Sequence, residues 1–122
     1  MATVLIVDDS SVVRKIARRI LEGADFRVEE AKSGGEGLAF CAHAIPDAIL
    51  VDANMPNIDG YEFVKRLRAM AGGKSAKVVF CLSETNTAHL ARAIHAGANE
   101  FVLKPFDRER LAAKFGCVRS RD

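Results

Sequence analysis

The feature that most constrains the fold is a set of short apolar runs that show no alternation and end at a polar residue. In the clearest case, residues 48–51 lead directly into Asp52, and Pro56 and Gly60 force a loop soon afterwards. A run of this kind predicts a strand buried on both faces. Because burying a lone charge there is costly, Asp52 is either solvated, paired with a cation or metal, or used chemically.

Three other runs share this character. Residues 3–7 are followed by Asp8-Asp9, residues 77–82 by Ser83, and residues 101–103 by Lys104-Pro105. Residues 26–29 alternate between apolar and polar side chains, which favours a half-exposed edge strand. Apolar residues recur at helical spacing between the runs, and glycines end these segments: Gly23, Gly72-Gly73, Gly97 and Gly116. Five alternations of strand and helix predict one α/β domain over residues 1–122, with a parallel sheet and helices on both faces.

Length and composition narrow the possible functions. A chain of 122 residues is long enough for one domain with a real core and too short for two. Its net charge of +2 is too small to imply nucleic-acid binding. The three cysteines are odd in number and widely spaced, which indicates reduced thiols and neither a disulfide framework nor a metal knuckle. With no charged leader and no apolar run of membrane-spanning length, we expect a cytoplasmic protein without membrane contact.

Four of the five predicted strands finish in groups that can do chemistry. These groups are Asp8 and Asp9, Asp52, Ser83 and Lys104, and parallel α/β sheets bind ligands at this edge. Each group alone has an ordinary structural explanation, since Asp8 could cap a helix and Lys104 could be a surface lysine. Their joint occurrence predicts a site.

These residues, in this order and spacing, resemble the receiver domain of bacterial two-component response regulators, of the single-domain chemotaxis type. The resemblance runs from Val4 to about Phe115. It rests on four motifs: Asp8-Asp9, Asp52…Met55-Pro56…Asp59-Gly60, Ser83, and Lys104-Pro105-Phe106. It implies a flavodoxin-like doubly wound sheet of five parallel strands in the order 2-1-3-4-5, with five helices.

The resemblance also implies a chemistry. Asp9, Asp52 and the backbone carbonyl of Asn54 would bind Mg²⁺ directly, and Asp8 would bind it through water. Asp52 would take a phosphoryl group from a phosphohistidine on a sensor histidine kinase or histidine phosphotransfer protein, with Lys104 and Ser83 binding the phosphoryl oxygens. The domain would catalyse its own phosphorylation and slow dephosphorylation, yet act primarily as a signalling protein.

Three further residues would tune the switch. Phe101 stands at the family's aromatic switch position, and because it lacks the hydroxyl of the Tyr often found there, we expect a leakier switch. Glu84 stands where receivers usually carry a small residue, so we expect slow phosphorylation by small phosphodonors. By resemblance, Thr85 and Asn54 occupy positions that influence hydrolysis of the phosphoaspartate.

Half of the positively charged residues lie on the first helix and in or after the last helix. The basic residues there make up half of the 18 Lys and Arg: Arg14, Lys15, Arg18, Arg19, Arg108, Arg110, Lys114, Arg119 and Arg121. A solvated helix face is the plain explanation. The sharper hypothesis is electrostatic docking of an acidic kinase or phosphotransfer partner, in which Arg14, Lys15, Arg18 and Arg19 take part.

Other classes fit less well. A haloacid-dehalogenase-type phosphatase needs a second Asp where Asn54 stands, and a flavodoxin needs a phosphate-cradling loop where Asp8-Asp9-Ser10 stands. No output domain follows, so we expect no direct DNA binding, although a receiver excised from a longer regulator stays open. Three roles compete. The domain could bind an effector through its fourth helix, fifth strand and fifth helix, pass phosphate on as a shuttle, or work as an unphosphorylated binding module.

Overall fold

The computed structural model describes residues 1–83 and 87–120, and five strands alternate with five helices over this part of the chain. The strands are β1 (Thr3–Val7), β2 (Arg27–Ala31), β3 (Ala48–Asp52), β4 (Lys77–Leu82) and β5 (Glu100–Leu103). The helices are α1 (Ser11–Gly23), α2 (Gly34–His43), α3 (Gly60–Ala69), α4 (Thr87–Ala96) and α5 (Arg108–Ala113). The predicted alternation of strand and helix is confirmed.

All strands are parallel, and the sheet has the order β2-β1-β3-β4-β5. The expected flavodoxin-like order is therefore confirmed. Three of the apolar runs form the inner strands β1, β3 and β4, because both of their faces are covered, and β3 is buried throughout. The alternating segment forms β2 at the edge, where Val28 and Ala31 are buried and Arg27 and Glu29 are exposed. The fourth run was wrongly expected to be buried on both faces: it forms β5 at the other edge of the sheet, where Val102 is buried and Phe101 and Leu103 are partly exposed.

Two apolar clusters fill the space on either side of the sheet. One lies between the sheet and α1 and α5, and it includes Ile20, Leu21, Leu111 and Phe115. The other lies between the sheet and α2, α3 and α4, and Phe63 and Phe80 are its largest fully buried residues. The first and last helices thus share one face of the sheet, as expected from the order of the strands.

Local sequence explains where most helices begin. Ser10, Ser33, Asp59 and Asp107 each accept a hydrogen bond from a backbone N–H in the first turn of the helix that follows. The end of α1 differs from the expectation, because Gly23 is still helical and Asp25 is the residue that takes the left-handed conformation, with φ of 69°. Asp adopts this conformation more readily than most side chains, so it can end α1 without a glycine. The last helix also ends earlier than expected, at Ala113 and not at Gly116.

No helix within residues 1–83 and 87–120 is long and apolar enough to cross a membrane. Glu84 and Thr85, two of the residues expected to tune the switch, lie outside the described residues.

Candidate functional site

The register of the sheet sets the positions of the predicted site residues. In β1 and β3, Val7 pairs with Val51, so Asp8 and Asp52 leave neighbouring strands at the same level. In β4 and β5, Leu82 pairs with Leu103, which sets Ser83 beside Lys104 at the same carboxyl edge. These side chains lie at the carboxyl edge because each one belongs to the first polar residue after an apolar strand.

The three acidic residues lie close together. One carboxylate oxygen from each of Asp8, Asp9 and Asp52 lies within 4.8 Å of the other two. Asp8 and Asp52 are 2 % and 7 % exposed, whereas Asp9 is exposed. Three carboxylates that converge with one open side form a hard oxygen-ligand set, which suits a divalent cation such as Mg²⁺.

Lys104 reaches the same point from β5. Its Nζ lies 3.1 Å from Asp8 Oδ2 and 3.4 Å from Asp52 Oδ1. Burial lowers the pKa of Lys104, but the hydrogen bond to Asp8 and the charges of Asp52 and Asp8 raise it more, so the pKa is raised overall. The side chain is therefore a fixed cation across the physiological range of pH.

The pKa of Asp52 is also subject to opposing effects. Burial and then the charge of Asp8 raise the pKa of Asp52, while Lys104 and the hydrogen bond donated by the backbone N–H of Asn54 lower it; the net shift is upward. The cluster thus holds more negative charge than Lys104 can neutralise. A second cation or a proton bound here would offset this excess negative charge.

The loop after Asp52 is held tightly against the strand end. The N–H of Gly60 donates to the carbonyl of Ala53 at 3.0 Å. A Cβ added at Gly60 would collide with the carbonyl oxygen of Asp52 and the Cα of Ala53, so only glycine fits there. Pro56 and Gly60 had predicted a loop, and the structure adds that this glycine is needed for the close approach of the two backbone segments.

Arg14 has a role that the sequence analysis missed. Its Nη1 donates to the carbonyl of Asp8 at 2.7 Å and its Nε to Glu30 at 2.9 Å, and its side chain is only 16 % exposed. Arg18 also binds Glu30, at 2.6 Å, and Glu22, at 2.9 Å. Of the four residues expected to dock a partner, Lys15 and Arg19 are the exposed ones. Arg14 instead supports the backbone of the acidic pair.

The switch phenylalanine, Phe101, is half-buried. It packs against the core cluster of α2, α3 and α4 on one side, and Nζ of Lys114 lies 5.5 Å from its ring centroid on the other. Lys114 also pairs with Glu100 at 3.4 Å. Ser83 is exposed at the end of β4, two residues beyond Cys81, which pairs with Asp52 in the sheet.

Comparison with known proteins gives a consistent result. The family model described as the response regulator receiver domain matches residues 4–115. The chemotaxis protein CheY of Listeria monocytogenes is 35% identical over 112 residues, covering 91% of this chain and 92% of that protein. The structure of chemotaxis protein CheY4 of Vibrio cholerae superimposes with a TM-score of 0.92 at 35% identity, over 98% of this chain and 99% of that one.

Longer relatives contain a similar segment. Response regulator Rre1 of Synechocystis is 34% identical over 91% of this chain, which spans 48% of that protein. Sensor histidine kinase CheAY of Helicobacter pylori is 36% identical over 88% of this chain, which spans 14% of that protein. The chain thus spans half or less of these two curated relatives.

Proposed function

Because the chain belongs to the response regulator receiver domain family, we propose that it is a phosphorylation switch in which Asp52 accepts a phosphoryl group from a phosphohistidine. The observation that carries the proposal is the convergence of Asp8, Asp9 and Asp52 within 4.8 Å, with the Lys104 ammonium 3.4 Å from Asp52. A nucleophilic carboxylate and a cation for the transferred oxygens are the two groups that phosphoryl transfer needs.

In the proposed step, a carboxylate oxygen of Asp52 attacks the phosphorus of the phosphohistidine. The new O–P bond forms as the N–P bond breaks, and the imidazole nitrogen leaves with the electron pair and takes up a proton. Lys104 offsets charge on the transferring oxygens, and its position between Asp8 and Asp52 needs only a small movement to reach them.

A divalent cation fits the same site. Asp8, Asp9, Asp52 and the backbone carbonyl of Asn54 are the groups that would hold Mg²⁺, which would offset negative charge on the nucleophile and on the phosphoryl oxygens. The excess negative charge of the cluster supports this proposal, since the raised pKa of Asp52, due first to its burial and then to Asp8, would fall when a cation binds.

The output is proposed to be a change in the surface formed by α4, β5 and α5. Ser83 would move toward the new phosphoryl oxygens and leave space behind β4 for the ring of Phe101. The half-buried ring of Phe101 supports this, because it already contacts the core on one side. An effector that recognises this surface would then bind the phosphorylated form preferentially.

The phosphodonor is proposed to dock on α1. Val12 and Ile16, one turn apart, are 65% and 47% exposed, and Lys15 and Arg19 are exposed beside them. An apolar pair with basic neighbours suits a partner helix that carries apolar and acidic residues. A sensor histidine kinase or a histidine phosphotransfer protein could present its histidine to Asp52 from this side.

The central test is Mg²⁺-dependent transfer of labelled phosphate from a panel of phosphorylated histidine kinases and phosphotransfer proteins. Wild type should take up label, and Asp52→Asn should not. Asp25→Asn is the matched control, because it makes the same change in an exposed turn after the C-terminal end of α1, whereas the acidic cluster lies near the N-terminal end of that helix. Acceptance of label by Asp52→Asn would refute the assignment of the phosphoacceptor.

The same panel separates the competing roles. A shuttle should pass its label on to a histidine phosphotransfer protein, whereas a chemotaxis-like regulator should keep it and bind an effector. No label from any donor, with Mg²⁺ still bound, would instead favour an unphosphorylated binding module.

The docking proposal has its own test. Lys15→Glu should slow transfer from the cognate donor at low salt, and the difference should shrink as added salt shortens the screening length to about 10 Å at 0.1 M. Lys74→Glu makes the same charge change in the exposed loop before β4, and it should leave the rate unchanged. Transfer rates independent of salt would contradict electrostatic docking.

A further inference from the structure

Arg92 on α4 lies against the start of α3. Its guanidinium carbon is 3.9 Å from the centroid of the Tyr61 ring, and its Nη2 is 3.8 Å from Asp59 Oδ2. The first contact is a stacked cation–π pair, and the second is a longer ion pair. Arg92 therefore joins a helix of the proposed output surface to the segment that leads out of β3.

That segment is rigid on the side of α3. The ring of Tyr61 is 8% exposed and packs edge-on against Phe80, with the ring centroids 4.9 Å apart. Asp59 caps α3 by accepting from the N–H of Glu62 at 2.9 Å. Gly60, between them, is wedged against the backbone of Asp52. The groups that Arg92 contacts thus stay in place relative to Asp52.

The C-terminal end of α4 is fixed by a different arginine. Arg68 of α3 donates to the carbonyl of Gly97 at 2.8 Å and to Asn99 Oδ1 at 2.9 Å. Residues 84–86 connect the other end of α4 to Ser83. Because Arg68 holds the C-terminal end of α4, a movement of α4 in the proposed switch would affect mainly its N-terminal end, and Arg92 lies between the two ends.

We propose that Arg92 is a positioning residue that latches α4 onto Tyr61 and Asp59, and that phosphorylation must open this latch to move α4. The inference rests on the proposed function, since it concerns the regulation of the same switch. It also gives a function to the contact of Arg92 with Tyr61 and Asp59, which lies outside the acidic cluster. A stacked arginine at an exposed site shifts such an equilibrium by roughly two- to fivefold.

The chain is well suited to a direct test, because it contains one tyrosine and no tryptophan. Its intrinsic fluorescence and its tyrosinate absorbance therefore report on Tyr61 alone. Burial raises the pKa of Tyr61 and the charge of Arg92 opposes that rise. In the unphosphorylated protein, Arg92→Gln should raise the pKa of Tyr61 further, as measured by tyrosinate absorbance during alkaline titration.

Arg66→Gln is the matched control. Arg66 is another exposed arginine and lies on α3, where it pairs with Glu62 at 2.8 Å without stacking on the ring of Tyr61. This variant should leave the pKa and the emission of Tyr61 unchanged. Arg92→Lys keeps the charge but loses the planar group, and it should fall between wild type and Arg92→Gln.

The second measurement uses Mg²⁺ with beryllium fluoride, a stable mimic of the phosphoryl group, and then labelled phosphodonor. In wild type, the mimic should change the emission of Tyr61 as the stacked guanidinium leaves. In Arg92→Gln, the emission should already resemble that of the released state and change by less than half as much. The variant should also take up label up to about fivefold faster, because the latch no longer opposes the change.

The outcomes separate the two proposals. Normal labelling, with equal emission changes in wild type and Arg92→Gln, would overturn the latch and leave the phosphorylation switch intact. Absence of label in wild type from every donor would overturn the proposed function, and the latch would fail with it. Faster labelling by Arg92→Gln, with Arg66→Gln unchanged, is the result that the latch requires.

Discussion

Replacing the charge of Asp52 should stabilise the protein when no divalent cation is present. The pKa of Asp52 is raised, by burial first and by Asp8 second, so the folded protein binds this proton more tightly than the unfolded chain does. Stability due to this group therefore falls as pH rises from the ordinary Asp pKa of about 3.9, and it levels off above the folded value. Asp52→Asn removes this loss of stability, because the Asn side chain carries no charge.

The charges of the neighbouring residues do not by themselves explain the upward shift. At an effective dielectric near 20, Asp8 repels Asp52 by about 3 kcal/mol at 4.8 Å. Lys104 at 3.4 Å attracts Asp52 by about 5 kcal/mol on the same basis. Because the pKa of Asp52 is raised nevertheless, burial of its charge is the main cost, and removing that charge should raise the melting temperature by about 4 °C for each kcal/mol in a chain of this length.

The assay is thermal unfolding followed by circular dichroism in a chelating buffer, at neutral pH and near pH 4. Asp52→Asn should be more stable than wild type at neutral pH, and the advantage should shrink toward pH 4. Added Mg²⁺ should stabilise wild type by about 2.7 kcal/mol at a hundredfold excess over its dissociation constant, and Asp52→Asn by less. Lower stability of the variant at neutral pH without Mg²⁺ would refute the charge argument.

Three further predictions follow from single contacts. Gly60→Ala should lower the stability by about 2–3 kcal/mol and impair phosphorylation. Gly35→Ala is the control: a Cβ there meets nothing within 4 Å, so this variant should be more stable than wild type by about 0.5 kcal/mol. Unfolding in urea measures the stability of both variants. Lys114→Gln should increase exchange of the switch phenylalanine between ring positions by about twofold, as seen in NMR line broadening of the unphosphorylated protein. Thiol reagents should modify only Cys117 in the folded protein, because burial raises the pKa of Cys41 to about 11 and of Cys81 to about 12.

The sheet and the edge of the site were predictable from the sequence because both depend on local pattern. A strand covered on both faces must be apolar throughout, so the runs before Asp8, Asp52 and Ser83 could be recognised one by one. The order of the strands could not be predicted in this way. It came from the resemblance, since no local pattern states which strand lies beside which.

The contacts that support the site were not predictable. Arg14 was correctly expected on the polar face of α1, but its bonds to Glu30 and to the carbonyl of Asp8 depend on how α1 lies across β2. The stacking of Arg92 on Tyr61 joins residues 31 positions apart on two helices, and no spacing within either helix indicates it. Long-range side-chain pairs of this kind arise from tertiary packing alone.

The charge balance of the site connects these observations. Asp8, Asp9 and Asp52 carry three negative charges in one place, and the ammonium of Lys104 balances one of them. The remaining two match one divalent cation, and a phosphoryl group on Asp52 would then add new negative charge that only a rearrangement can accommodate. In the proposed switch, Lys104 and Ser83 move toward that charge, and three residues of the sequence separate Ser83 from α4. In the proposed switch, the negative charge of the phosphorylated Asp52 would thus be coupled to the helix that Arg92 contacts.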